Sequence, residues 1–129
     1  MMDVIELTQQ LVRHNTINPP GNEAPPIAEL AALLEEGGFA VTLHAFEPGR
    51  PSLVARRKED PGTRSICFTG HVDVVPLGAT PWDVDPFAAH IDGDRLYGRG
   101  TSDMKGGVAA MVVAALAMGG EGEKRGLSE

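Results

Sequence analysis

The sequence predicts an α/β fold, a layered mixed sheet flanked by helices, and three features carry that prediction. Apolar residues recur at helical spacing in two early segments and again near the carboxyl end. Between them lie short runs that alternate or are rich in β-branched and aromatic residues. Polar residues suited to chemistry follow directly on one of those runs, at the strand end where α/β sheets place ligands. At 129 residues the chain matches one domain of about 100 to 200 residues, so one core is expected.

The first helix begins after Asp3, which can accept from the free N–H groups of the first turn, with Glu6 three residues on in capping-box position. Val4, Leu7 and Leu11, with Ile5 and Val12, carry it to about His14. Thr16-Ile17-Asn18-Pro19-Pro20-Gly21 is a loop, because two prolines and a glycine exclude regular structure. A second helix starts near Pro25 or Pro26, buries Ile27, Leu30, Ala31 and Leu34, and stops at Gly37-Gly38, with Glu29, Glu35 and Glu36 on its wet face. Phe39, Val41 and Leu43 alternate as in a half-buried strand, and Leu53 to Arg56 forms another.

Ser65 to Thr69 reads as a strand holding Cys67 as a small buried thiol, and Gly70-His71-Val72-Asp73 falls at its carboxyl end. Val74 to Pro86 is a proline-rich loop in which Trp82 is expected to pack the loop itself. Ala89 to Ile91 and Leu96-Tyr97 form a hairpin around Asp92-Gly93-Asp94. A final helix follows Asp103, buries its small apolar residues from Val108 to Met118 against the sheet, and stops at Gly119-Gly120. Residues 1–120 are thus the folded portion, and 121–129 a polar, aperiodic tail expected to be disordered.

Composition narrows the function. With 42% hydrophobic and 22% charged residues the chain is globular, which argues against a disordered or fibrous protein. A net charge of -7 leaves no basic stripe for phosphates, so nucleic acid and anionic membrane surfaces are unfavoured partners and small molecules or cations fit better. One cysteine allows neither an intrachain disulfide nor a thiolate metal cluster. The start, Met1-Met2-Asp3, lacks a basic segment and an apolar core, and the longest apolar run is short of the roughly 20 residues of a membrane span, so the cytoplasm is expected.

The chemistry centres on His71, Asp73 and Asp103. Residues two apart in an extended segment face the same side, so His71 and Asp73 can converge. Asp73 suits either a ligand role or that of the carboxylate that fixes a ligand histidine's tautomer. Asp103, just before the last helix, can return a second carboxylate to the same place, and a plain helix cap is its ordinary alternative. Arg99 is placed to pair with Asp103 or a neighbouring carboxylate, while His14, His44 and His90 lack partners at ligand spacing.

Gly70-His71-Val72-Asp73-Val74-Val75-Pro76 and Leu96-Tyr97-Gly98-Arg99-Gly100-Thr101-Ser102-Asp103-Met104-Lys105-Gly106-Gly107 closely resemble the first two metal motifs of the dinuclear zinc aminoacylase and peptidase family. That family includes acetylornithine deacetylase, succinyl-diaminopimelate desuccinylase and glutamate carboxypeptidase. Trp82, Asp85-Pro86-Phe87 and Asn18-Pro19-Pro20-Gly21 are similar to it as well, and the resemblance runs from about Val4 to Met118. It implies that His71 binds one zinc, that Asp103 bridges two, and that Asp73 joins the catalytic set by supporting His71. It also implies a cis Asp103-Met104 peptide. Cobalt or manganese can occupy similar sites.

The implied reaction is metal-assisted hydrolysis of the amide bond of an N-acyl amino acid or small peptide, with a glutamate as general base. The family's adjacent glutamate pair, its later ligands and its inserted smaller domain, through which members often form homodimers, have no counterpart here; the only Glu-Glu is Glu35-Glu36 on the second helix. The resemblance therefore implies an incomplete catalytic domain, a partial hydrolase inactive by itself. The alternative is a non-catalytic remnant or binding module that keeps part of the metal site. A nucleotide loop at Gly98-Arg99-Gly100 is disfavoured because Asp103 would set a negative charge against phosphate, and Ser102 lacks the elbow of a serine hydrolase.

Overall fold

The computed structural model describes residues 2–57, 62 and 64–125, with side chains as far as Met118. Helix α1 spans Val4–Val12, and Asp3 caps it by accepting from the Ile5 N–H at 3.4 Å. Leu7, Thr8, Leu11 and Val12 face inward, three and four apart as helical geometry requires. Helix α2 spans Ala24–Glu36, where two prolines suit the first turn because its N–H groups have no partner within the helix. It buries Pro26, Ile27, Leu30 and Leu34 and ends at Gly37.

Strands β1 (Ala40–Glu47) and β2 (Arg50–Arg56) form an antiparallel hairpin with Leu43 opposite Leu53 and an irregularity between Ala45 and Glu47. The second strand begins earlier than the sequence suggests, because Arg50 and Pro51 pair across the turn with Glu47 and Ala45. β1 is mostly exposed, with Leu43 at 51%, and β2 lies against α2. Strands β3 (His90–Asp92) and β4 (Arg95–Tyr97) close over a two-residue turn at Gly93-Asp94, as the sequence implies.

The α/β class holds, and among the described residues its strands pair as two antiparallel ribbons. A parallel bridge, Ile17 to Val74, adds a third connection. Ser65 to Thr69, expected as a strand, belongs to neither ribbon: a strand exists only through a ladder with a neighbour, and no described strand lies beside it. Ile66 is accordingly 64% exposed, and Cys67 is a free, exposed thiol instead of a buried one.

Helix α3 spans Gly106–Arg125, continuing through Gly119-Gly120 instead of stopping there. Glycine in a helix interior costs only about 1 kcal/mol relative to alanine, which does not forbid continuation. The expected polar tail therefore joins the helix as far as Arg125, and residues 126–129 lie outside the described residues. The core is a cluster of Leu7, Leu11, Ile27, Leu30, Val72, Val108 and Ala109. Helix α3 thus packs on α1, not on a sheet, because its small Ala109 and Val108 let the two helices approach.

Candidate metal centre

Two short connections set the site on this core. The chain at Thr16–Asn18 runs beside Val72–Val74: Val74 N–H donates to the Thr16 carbonyl (3.0 Å), and Asn18 N–H donates to the Val74 carbonyl (2.8 Å). The buried Thr16 hydroxyl donates to the Val72 carbonyl at 2.6 Å. Val72 and Val74 are buried, so the alternation of an extended chain turns His71 and Asp73 the other way, toward solvent.

Asp103 arrives from the other side. Gly100 adopts φ +90 and opens an irregular turn, Thr101–Lys105, in which Asp103 and Met104 leave helical geometry before α3 begins. The Asp103-Met104 peptide is cis, as the resemblance implies. Lys105, on the turn's inner side, is fully buried and donates from Nζ to the His14 carbonyl at 2.8 Å, anchoring the turn to the end of α1. Burial pushes its ammonium down to about 8.

His71 stands between the two carboxylates. Its Nδ1 lies 3.0 Å from Asp73 Oδ1 and 3.1 Å from the Asp73 carbonyl, and its Nε2 lies 3.2 Å from Asp103 Oδ1. Nδ1 faces two acceptor oxygens of Asp73, whereas Nε2 faces one, on the exposed Asp103, so the proton is favoured on Nδ1 and the Nε2 lone pair is left on the Asp103 side. Two ligands about 2.0 to 2.1 Å from one tetrahedral cation sit about 3.3 Å apart, so the observed 3.2 Å fits a pair sharing one ion. His71 and Asp103 are open to solvent, with side chains 49% and 82% exposed.

The fit extends to two donors. Among the described residues, no group of three or more His, Cys, Asp or Glu side chains gathers in a geometry able to hold a metal. Asp73 lies on the far side of the ring, at Nδ1, and so does not converge with Asp103.

Other candidates sort differently from the sequence expectation. Arg99 does not pair with Asp103: its Nη2 donates to the Pro76 carbonyl at 3.3 Å, and its guanidinium lies 5.2 Å from the Trp82 ring centroid. The chain direction at Gly100 carries the two side chains apart, and the loop carbonyls reach Arg99 first. Trp82 does pack its own loop, donating to the Leu77 carbonyl at 3.3 Å. His14 Nε2 is hydrogen-bonded to Glu29 Oε1 at 2.9 Å, away from the centre.

Sequence reasoning missed Glu23 and Arg50. Arg50 Nε and Nη2 grip the Glu23 carboxylate at 2.7 to 3.1 Å, and Arg50 Nη2 lies 3.9 Å from Asp73 Oδ2. The hydrogen bond to Glu23 raises the Arg50 pKa; desolvation opposes this, and the charges of Glu23, Glu47 and Asp73 add to it. Asn18 Nδ2 donates to the same Asp73 oxygen at 3.1 Å. Only Asn18 had a signal, as part of the Asn-Pro-Pro-Gly motif.

Residues 67–127 match the family described as Peptidase family M20/M25/M40. The chain is 46% identical over 116 residues to succinyl-diaminopimelate desuccinylase 2 of Ruegeria sp. (strain TM1040), covering 89% of this chain and 29% of that protein. It is 45% identical over 115 residues to succinyl-diaminopimelate desuccinylase of Gluconobacter oxydans (strain 621H), covering 87% of this chain and 29% of that one. The chain therefore spans less than a third of the length of these relatives. Its structure is similar to the crystal structure of human carnosine dipeptidase 1, with a TM-score of 0.76 and 25% identity over 90% of this chain and 28% of that one. Sequence and fold agree: residues 67–127 belong to the Peptidase family M20/M25/M40.

Proposed function

We propose that the chain supplies the His71 and Asp103 donors of a divalent-cation site, zinc in the first instance, for hydrolysis of the amide bond of an N-acyl amino acid or small peptide. The observation that carries this reading is the 3.2 Å approach of His71 Nε2 to Asp103 Oδ1 while Asp73 occupies Nδ1. Both donor types suit zinc, cobalt or manganese. A bound cation supplies Lewis acidity toward an amide carbonyl and toward water at neutral pH. The chain's own part is to hold Nδ1 protonated, leave Nε2 free, and keep the Asp103 carboxylate beside it. Residues 1–120 constitute the amino-terminal portion of the hydrolase unit in this reading.

Two donors bind a cation weakly, so these residues are expected to bind zinc with low affinity. Calorimetric titration of the chain with zinc tests this directly. His71→Ala and Asp103→Ala should each weaken binding by about tenfold or more, as loss of half a two-donor set requires. Zinc binding unchanged by both substitutions would overturn the assignment.

A further inference from the structure

The Asp73 carboxylate has both oxygens engaged. Oδ1 faces His71 Nδ1 at 3.0 Å, while Oδ2 accepts from Asn18 Nδ2 at 3.1 Å and lies 3.9 Å from Arg50 Nη2. These partners come from three separate parts of the chain, so their convergence is a property of the tertiary fold. Asn18 is held by its own N–H on the Val74 carbonyl. Arg50 begins β2 and is held by Glu23, a carboxylate only 9% exposed just ahead of α2. A charge so buried requires a partner, and Arg50 meets it in a planar two-pronged grip.

The surroundings are shaped to this grip. The turn of the hairpin meets the start of α2 where Ala24 N–H donates to the Gly49 carbonyl at 3.2 Å. Gly21 sits at φ +107, and a side-chain carbon there would lie 2.6 Å from Arg50 Nε and 2.7 Å from Glu23 Oε2. Only glycine leaves room for the pair.

We propose that Asn18 and the Glu23–Arg50 pair are positioning residues that pin Asp73 Oδ2, so that Oδ1 fixes the His71 ring with its proton on Nδ1 and Nε2 turned to Asp103. This rests on the reading of His71 as a cation ligand. An unrestrained carboxylate can rotate about its side-chain bonds and exchange its oxygens. With Oδ2 hydrogen-bonded to Asn18 and drawn toward the Arg50 charge, the other oxygen is left for the histidine. Outer carboxylate partners of this kind alter metal affinity without touching the ion.

The test reads the ring itself, in the metal-free 129-residue chain at pH 8, through the imidazole nitrogen-15 signals. Wild type should show His71 in the Nδ1–H form. In Asn18→Ala and in Arg50→Met the signals should move toward a mixture of the two tautomers, while those of His44 and His90 stay in place. Zinc titration should weaken by about tenfold in the double variant. Thermal melts identify any variant that fails to fold, and Asn18→Ala, which leaves the buried Glu23–Arg50 pair intact, then decides alone. Unchanged His71 signals in a folded Asn18→Ala chain overturn the proposal, because the Asp73 carbonyl would then suffice. Zinc binding insensitive to His71→Ala would overturn the cation reading instead, and the ring signals would still decide the positioning claim.

Discussion

Lys105→Met should remove a pH dependence from the stability of the fold. Lys105 is 0% exposed, and among the described residues its Nζ donates to the His14 carbonyl at 2.8 Å. Burial alone lowers its pKa from 10.5 to about 8. In the unfolded chain the side chain regains its ordinary value, so between pH 8 and 10.5 the unfolded state holds more protons than the native one. Stability from this group therefore rises with pH across that window and is flat below it. At about 1.36 kcal/mol per pH unit, the gain from pH 7 to pH 10 comes to about 2 to 3 kcal/mol. Methionine fills similar volume without a charge to desolvate. Urea unfolding of both chains at pH 7, 8, 9 and 10, in chelator so that no cation near Asp103 contributes, gives the difference directly. The difference should grow by about 2 to 3 kcal/mol in favour of wild type from pH 7 to pH 10. A difference that stays constant would refute the idea that Lys105 is buried against its own charge, and would place its ammonium in water.

Thr16→Val keeps the shape of the side chain but removes the hydroxyl that donates to the Val72 carbonyl at 2.6 Å. Leaving that buried acceptor unpaired should cost about 1 to 3 kcal/mol in urea unfolding, and no change would mean that another donor reaches it. Gly100→Ala should destabilise by more than the roughly 1 to 2 kcal/mol of a left-handed non-glycine residue. The added carbon would also lie 2.5 Å from the Val74 methyl. Zinc binding should fall with it, since Gly100 opens the turn that carries Asp103; a variant as stable as wild type would contradict the φ of +90.

The limits of sequence reasoning follow from the range of the forces involved. Asp3, the spacing of Leu7 and Leu11, the prolines of α2 and the Gly93-Asp94 turn act within a few residues, and the elements they specify form where expected. The segment at Ser65 to Thr69 has strand composition, yet a ladder depends on a neighbour that composition cannot supply. Gly119-Gly120 resembles a stop, but the glycine penalty is about 1 kcal/mol and does not end α3. Cys67 and Arg99 were misplaced for the same reason, since exposure and partner choice are decided by what packs alongside.

At the site, the resemblance carried by two motifs, and not the residue types alone, singles out His71, Asp73 and Asp103 as candidates. Residue types alone leave their division of labour open. Asp73 takes the Nδ1 side of His71 and Asp103 the Nε2 side, an arrangement that depends on where two distant turns meet. Asn18, Glu23, Arg50 and Lys105 lie far along the chain from the carbonyls and carboxylates they hold. Sequence alone determined the helices, the turns and the ligand candidates, whose causes lie in neighbouring residues. Only the tertiary structure decided which groups restrain them, because a hydrogen bond or ion pair depends on separation in space and is indifferent to separation in sequence.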